Sequence, residues 1–425
     1  MFRHFLFTTF LTTSLVGFSQ DYVNTGEIEY VDRIYSQNIA TAQLHPYGDD
    51  FAHPIVRLGA NASLLLEFDD LDGDFKNYNY TVIHCTSDWK KSDLFPNDYI
   101  DGFFQFNITE VSYSANTYQP YSHYMLALPN QKMRFKISGN YLLVIYTDDP
   151  ERPVLTRRFM VYEDRVSVQM NVKRPTDINY MNTHQEVDFM INTNGYEIND
   201  PFRDLKVVVL QNYDWNRAIT DLQPRFIGNG QLDYNYETGN LFEGGNEFRF
   251  FDTKNLQVLS MNISKTELLD LWNVYLSTNE PRNDERYIYW EDINGRFIIR
   301  KINSNDPNTE ADYSWVDFRL DMPDPITNGN VYVYGGFSNR QLHPVYQMTY
   351  DYDVKAYRAT ILMKQGYHDY MYVVKYDGFP QPRMEPIEGN HWETENEYQI
   401  LVYNRELGKR YDRLVGYSKL QSTLR

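Results

Sequence analysis

Ser138-Gly139-Asn140 followed by Tyr141-Leu142-Leu143-Val144-Ile145-Tyr146 decides the fold. The triplet is a turn signal, and the six residues after it form an apolar run of strand length. Just upstream, Met133-Arg134-Phe135-Lys136-Ile137 alternates apolar and charged residues, the period of a strand with one wet face. Leu142 to Ile145 is apolar at every position, so both faces of that strand are expected to be buried. The pattern suits a packed sandwich. It argues against an outer-membrane barrel, whose strands alternate lipid-facing and lumen-facing residues.

Working outward, the same grammar recurs. Leu64-Leu65-Leu66-Glu67-Phe68 and Tyr78-Asn79-Tyr80-Thr81-Val82-Ile83 read as strands, with Asp69 to Asp74 as a polar hairpin loop between them. Arg157 to Tyr162 closes this first module, placed at residues 21–163, and the strand spacing suggests an immunoglobulin-like sandwich. A second β module is expected at residues 164–305, from Val166-Ser167-Val168-Gln169-Met170, Val187 to Ile191 and Leu205 to Leu210. Within it, Asn294-Gly295 predicts a tight hairpin between Tyr287 to Trp290 and Phe297 to Ile299. The best helix candidate is Ser264 to Tyr275, capped by Ser264, although Asp270 and Trp272 equally suit an extended segment. Ser304 to Asn308 is turn-rich and predicts a boundary. The third module, residues 306–425, holds alternating strands at Val316 to Leu320, Val331 to Tyr334 and Tyr357 to Ile361, then a polar tail after Leu407. The expected class is all-β, built of tandem immunoglobulin-like β-sandwich modules.

Composition agrees with strands. Of 425 residues, 16% are aromatic, with 37 Tyr and 25 Phe, and aromatic side chains favour sheets. The net charge of −18 argues against nucleic acid and anionic lipid as partners. Met1 to His4 is a short basic start, Phe5 to Phe18 is largely apolar, and Ser19-Gln20 offers a cleavage point before Asp21. That is the layout of a secretory signal over residues 1–20. The apolar run is short for a membrane span, no Cys follows the cut to carry lipid, and no direct membrane insertion is expected.

Asp70, Asp72 and Asp74 occupy the first, third and fifth places of a calcium-loop register, but Phe75 stands where that loop needs glycine. His84 and Cys85 are adjacent on a strand and point to opposite faces, so they do not form a nucleophile–base pair. Ser87-Asp88-Trp89-Lys90 matches S-x-x-K, but follows a strand instead of opening a helix. The nine His are scattered without zinc-site spacing. No catalytic residue, metal ligand or cofactor is predicted.

Two resemblances remain. Val331 to Asn339, Tyr357 to Ile361 and Gly366 to Tyr372 resemble an early-set glycogen-binding sandwich, with Arg340 where such modules usually carry a sugar-stacking Trp. A longer series resembles the type 9 secretion system plug protein family of Bacteroidetes. It comprises Tyr78 to Cys85 with Asp88-Trp89-Lys90, Pro96 to Gly102, Ser138 to Tyr141, Arg157 to Glu163, Gln211-Asn212 with Trp215, and Gly244 to Arg249. The resemblance implies a periplasmic, non-enzymatic protein. It would dock on the periplasmic mouth of the outer-membrane translocon barrel and close the pore while no substrate passes. The loop residues Asp69, Asp70, Asp72 and Asp74, with Trp89, Lys90 and Trp215, are the expected partner-binding positions. Two other readings are an envelope glycan-binding accessory protein and a hydrolase whose site assembles only in space.

Overall fold

The computed structural model describes residues 28–423. The signal-sequence reading of residues 1–20 lies outside them. Three β-sandwiches account for the described residues, each made of two facing sheets around its own apolar core.

In the first sandwich, strands Asn79–Cys85, Gly139–Tyr146 and Leu155–Tyr162 lie side by side and antiparallel. Ile39–Pro46, Leu64–Asp70 and Ser122–Leu128 form the facing sheet. Leu64–Asp70 and Asn79–Cys85 therefore belong to different sheets. The segment between them crosses from one layer to the other and is not the hairpin loop expected. Asp69 and Asp70 are the last residues of the strand and are buried.

The module boundaries differ from the linear division. Val166 to Phe242 share a core with Tyr398, Ile400, Val402 and Val415. Leu205–Gln211 pairs with Glu397–Asn404, which pairs with Arg413–Gln421. The second sandwich thus closes only after the third is complete. The tail after Leu407, read as polar, supplies its last strand through buried Leu414 and Val415. The third core runs from Phe251 to Ile387, so the boundary expected at Ser304 to Asn308 falls inside it.

Two local expectations also change. Ser264 to Tyr275 is not a helix but a pair of antiparallel strands, Ile263–Leu268 and Trp272–Leu276. Val274 and Leu276 enter the third core while Tyr275 faces outward, the period of two that Asp270 and Trp272 had allowed. Asn294 and Gly295 do adopt left-handed dihedrals. Phe297–Ile299, however, pairs with Gly366–Tyr376 and not with Tyr287 to Trp290. The turn is held instead by the Asp369 carboxylate, whose Oδ2 accepts from Ile293 N at 2.7 Å and Gly295 N at 3.1 Å.

The burial of every residue from Tyr141 to Tyr146 has a specific cause. Tyr141, Leu143 and Ile145 fill the core of the first sandwich. Leu142, Val144 and Tyr146, on the opposite face, pack with Val208, Leu210, Leu401 and Tyr403 of the second. Val207 and Val209 meanwhile point into the second core. Two sandwiches therefore share one continuous apolar layer, and each fully buried aliphatic side chain there stabilises the assembly by about 1.5–3 kcal/mol.

Leu142→Ala and Leu210→Ala should each cost about 2–5 kcal/mol of unfolding free energy in urea denaturation. The double variant should cost less than the sum, because both substitutions open the same layer. Losses below about 0.5 kcal/mol, the scale of an exposed position, would show that the sandwiches do not depend on each other here.

Candidate functional surface and the module junction

The predicted partner-binding residues divide into buried and exposed sets. Asp69 lies on the face of its strand turned away from the first core, and meets the third sandwich. Its Oδ2 accepts from Lys364 Nζ and from the Tyr313 hydroxyl, both at 2.6 Å, and its Oδ1 lies 2.7 Å from His123 Nδ1. Asp70 accepts from Lys76 Nζ at 2.7 Å, Asn38 Nδ2 at 2.7 Å, Tyr78 OH at 2.9 Å and Asp72 N at 3.1 Å. Those bonds hold its carboxyl below the usual range against the opposing effect of burial. Asp69 and Asp70 therefore organise the interior and present no docking surface.

Asp72 and Asp74 are exposed. With Asp70 they form a carboxylate triad of the kind that holds a cation. The cation it faces is the chain's own Lys76, whose ammonium bridges all three. Trp89 is buried between modules, with φ of 59°, and its ring meets that of Trp215 edge-on at 5.1 Å. The Arg158 guanidinium lies over both rings, 4.4 Å from Trp89 and 5.7 Å from Trp215. The two tryptophans thus spend much of their apolar surface on each other. Lys90 is exposed and pairs with Asp88 at 2.7 Å. Only Asp72, Asp74 and Lys90 of the seven positions are freely presented, and Trp215 is half-buried.

His84 and Cys85 lie on opposite faces. His84 Nδ1 is 3.0 Å from Ser92 Oγ, and burial pulls its imidazole down to about 4. Cys85 is buried in the shared layer, and burial pushes its thiol up to about 12, far from thiolate chemistry at neutral pH.

Sequence reasoning missed the place where all three sandwiches meet. A cavity of about 280 Å³ opens there, lined from the first by His53, Arg157 and Arg158, from the second by Tyr213 and Trp215, and from the third by Arg296 and Arg340. Arg340, in the position of the expected sugar-stacking Trp, donates from Nη2 to Asn294 O at 3.0 Å. His53 stacks on Tyr213 with centroids 4.1 Å apart, and its Nε2 lies 2.6 Å from Glu397 Oε1. Arg296 Nη2 approaches both, at 2.8 Å and 2.9 Å. Burial holds His53 down near 4, while His53 and Arg296 keep Glu397 at about 2 despite its own burial. No linear motif announces this site, because its residues meet only after the third module folds back.

Behind the cavity wall, Glu247, Asp292 and Asp369 converge on the 287–296 segment. Tyr287 donates its hydroxyl to Glu247, Phe248 N donates to Asp292, and Ile293 and Gly295 donate to Asp369. Burial holds all three well above the ordinary range, reinforced at Glu247 by repulsion from Asp292 and at Asp292 by repulsion from Asp369.

The fold defines a three-sandwich β protein whose modules are joined by buried polar networks and one apolar layer. Among the described residues, no helix is long and apolar enough to cross a membrane. The family description "type 9 secretion system plug protein 1st domain" matches residues 39–163, the first sandwich from its Ile39 strand onward. A hypothetical protein from Parabacteroides merdae, of known crystal structure, is 36% identical, with a TM-score of 0.90. That match covers 93% of this chain and all of the other. The chain belongs to the type 9 secretion system plug protein family, a component of that secretion machinery. The C-terminal domain of the Streptococcus pyogenes antigen I/II-family protein AspA aligns over 90% of this chain and 99% of its own. Its identity of 7% and TM-score of 0.14 carry no structural argument. No curated protein matches the chain.

The carboxyl cluster gives a pH dependence of defined sign. Asp369 is raised from 3.8 to about 7 in the folded chain. Below its unfolded value both states hold the proton and its carboxyl costs nothing. As pH climbs through that value toward 7 the unfolded state ionises first, so stability falls. Asp369→Asn keeps an oxygen for the Ile293 and Gly295 amides and should flatten the decline between about pH 4 and 7. Urea midpoints that fall as steeply in the variant as in the parent would refute this.

Proposed function

We propose that this chain is the periplasmic stopper of the type 9 secretion translocon. In this reading it binds the periplasmic mouth of the outer-membrane barrel and closes the pore while no substrate passes. The observation that carries the reading is the family match over residues 39–163 of the first sandwich, together with a relative that follows the chain nearly end to end. The construction supports it physically. A pore wide enough for folded proteins leaks unless it is filled by a body that does not deform. Three sandwiches fastened by an apolar layer and by the Asp69–Lys364 pair resist hinge motion between modules. Exposed Asp72, Asp74 and Lys90 on the first sandwich are the positions from the sequence reading that remain available for docking. The exposed rings of Phe95, Phe103 and Phe104 add apolar area on the same module.

Permeability to large, normally excluded probes tests the reading in four strains: parent, plug deletion, translocon deletion and double deletion. Leakage is expected in the plug deletion alone, with the barrier restored in the double deletion because no pore remains. Equal leakage in the single plug deletion and the double deletion would rule out a stopper acting on the translocon.

A further inference from the structure

The junction cavity has a chemistry that docking at a pore mouth does not explain. Four arginines, Arg157, Arg158, Arg296 and Arg340, line a single space in a chain whose net charge is −18. Arg296 alone has a carboxylate partner, Glu397. Among the described residues the other three donate only to carbonyl oxygens. Arg157, buried, reaches Thr156 O at 2.9 Å and Ala42 O at 2.8 Å. Arg158 uses Nε on Tyr30 O at 2.6 Å, and Arg340 uses Nη2 on Asn294 O. Each therefore retains charge and donor capacity that no ion pair absorbs.

Carboxylates also line the space. Asp32 accepts from Arg158 N at 2.6 Å, Asp214 accepts from the Tyr334 hydroxyl and Asn216 N, both at 3.0 Å, and Asp50 is exposed at the rim. The sign of the site is decided by what is left over. Among the described residues, Arg296 Nε is a buried lining donor without a hydrogen-bond partner, and the Trp215 indole N–H is directed at the Tyr213 hydroxyl, which leaves that hydroxyl's proton free to donate. A buried donor left without a partner is destabilising until an acceptor arrives. The backbone is strained at the same place. Asn212 and Tyr213, and again Asn339 and Arg340, are consecutive non-glycine residues with φ between 52° and 59°. Such conformations persist where the surrounding structure holds them and gather at ligand sites.

We infer that the cavity between the three sandwiches binds a small oxyanion, a carboxylate or a phosphate. Planar guanidinium forks match both groups in geometry and charge, and about 280 Å³ accommodates an anion of that size. Arg340 also lines an adjoining cavity of about 380 Å³, which places it where a ligand would pass between the two. An anion held there would contact all three modules at once and stabilise their arrangement by mass action.

Calorimetric titration of the purified chain with citrate and with inorganic phosphate, at ionic strength matched with chloride, separates the two sources. Saturable binding of at least one anion and a melting temperature raised by at least about 2 °C are expected. Arg340→Gln should weaken binding by about 10-fold or more, the value of one charge-assisted hydrogen bond. Gln341→Glu, which adds a negative charge to the wall and removes no cation, should do the same and carries the test if Arg340→Gln fails to fold. Lys265→Gln, exposed on strand Ile263–Leu268 of the third sandwich, should leave binding unchanged. No binding above the chloride control would overturn the proposal. So would affinity equal to the parent's in both cavity variants, or a co-crystal with the anion bound away from Arg340.

Discussion

The arrangement of the three sandwiches depends on the ion pair between Lys364 and Asp69, 295 residues apart in the chain and 2.6 Å apart in space. Both side chains are only 1% exposed. Desolvating two charges is expensive, and such a pair adds little net stability over an apolar contact of equal volume. Its value lies in what it forbids. Any other docking of the third sandwich would leave an uncompensated charge buried, at a cost of about 3–5 kcal/mol. The pair is completed on every side. The ammonium also donates to Asn308 O and lies 4.1 Å from the Tyr121 ring centre, while Tyr313 and His123 fill the remaining carboxylate positions.

The first sandwich therefore has two outer faces of opposite chemistry. Leu142, Val144 and Met160 turn an apolar surface to the second sandwich. Glu67, Asp69 and His123 turn a polar one to the third. Apolar contact is strong but tolerant of sliding, because it is nondirectional. Directional hydrogen bonds and ion pairs set the register that it leaves open. One interface supplies most of the free energy and the other fixes the geometry. The junction cavity lies where the second and third modules, each oriented by a different kind of contact, meet against the first.

This division explains what the sequence made legible. Period and composition identified sandwiches, because alternation and all-apolar runs are local properties of strands such as Met133 to Ile137 and Tyr141 to Tyr146. The opposite facing of His84 and Cys85 followed from the same logic. Module limits were illegible. Arg413 to Gln421 sets Leu414 and Val415 side by side without a clean alternation and reads as a tail until Glu397–Asn404 pairs with it. The acidic run Asp69 to Asp74 reads as solvated, since nothing local says that Lys364 and Lys76 supply its counterions. Trp89 and Trp215 look available for docking until each is seen to need the other. The arginine cavity left no trace at all, because Arg157, Arg296 and Arg340 share neither a motif nor a spacing.

The nested topology gives physical content to a stretch that chemistry alone left unexplained. Gly244-Gly245-Asn246-Glu247-Phe248-Arg249 is where the chain leaves the second sandwich for the third, and residues 388–396 are where it returns. The two segments must cross in contact. A Cβ on Gly244 would lie 1.9 Å from His391 O, and Gly245 takes a φ of 68°. His391 N and Thr394 Oγ1 both donate to Gly245 O, and Asn246 Nδ2 donates to Glu388 O. Arg249 then pairs with buried Glu388, which also takes Arg282. The run thus fastens the entry strand to the exit strand, so the inserted sandwich is anchored at both ends of its own chain. An insertion tied at a single crossing could still pivot about it. The Asp69–Lys364 pair blocks that remaining freedom from the far side, which is why residues so distant in sequence have to act together to hold one shape.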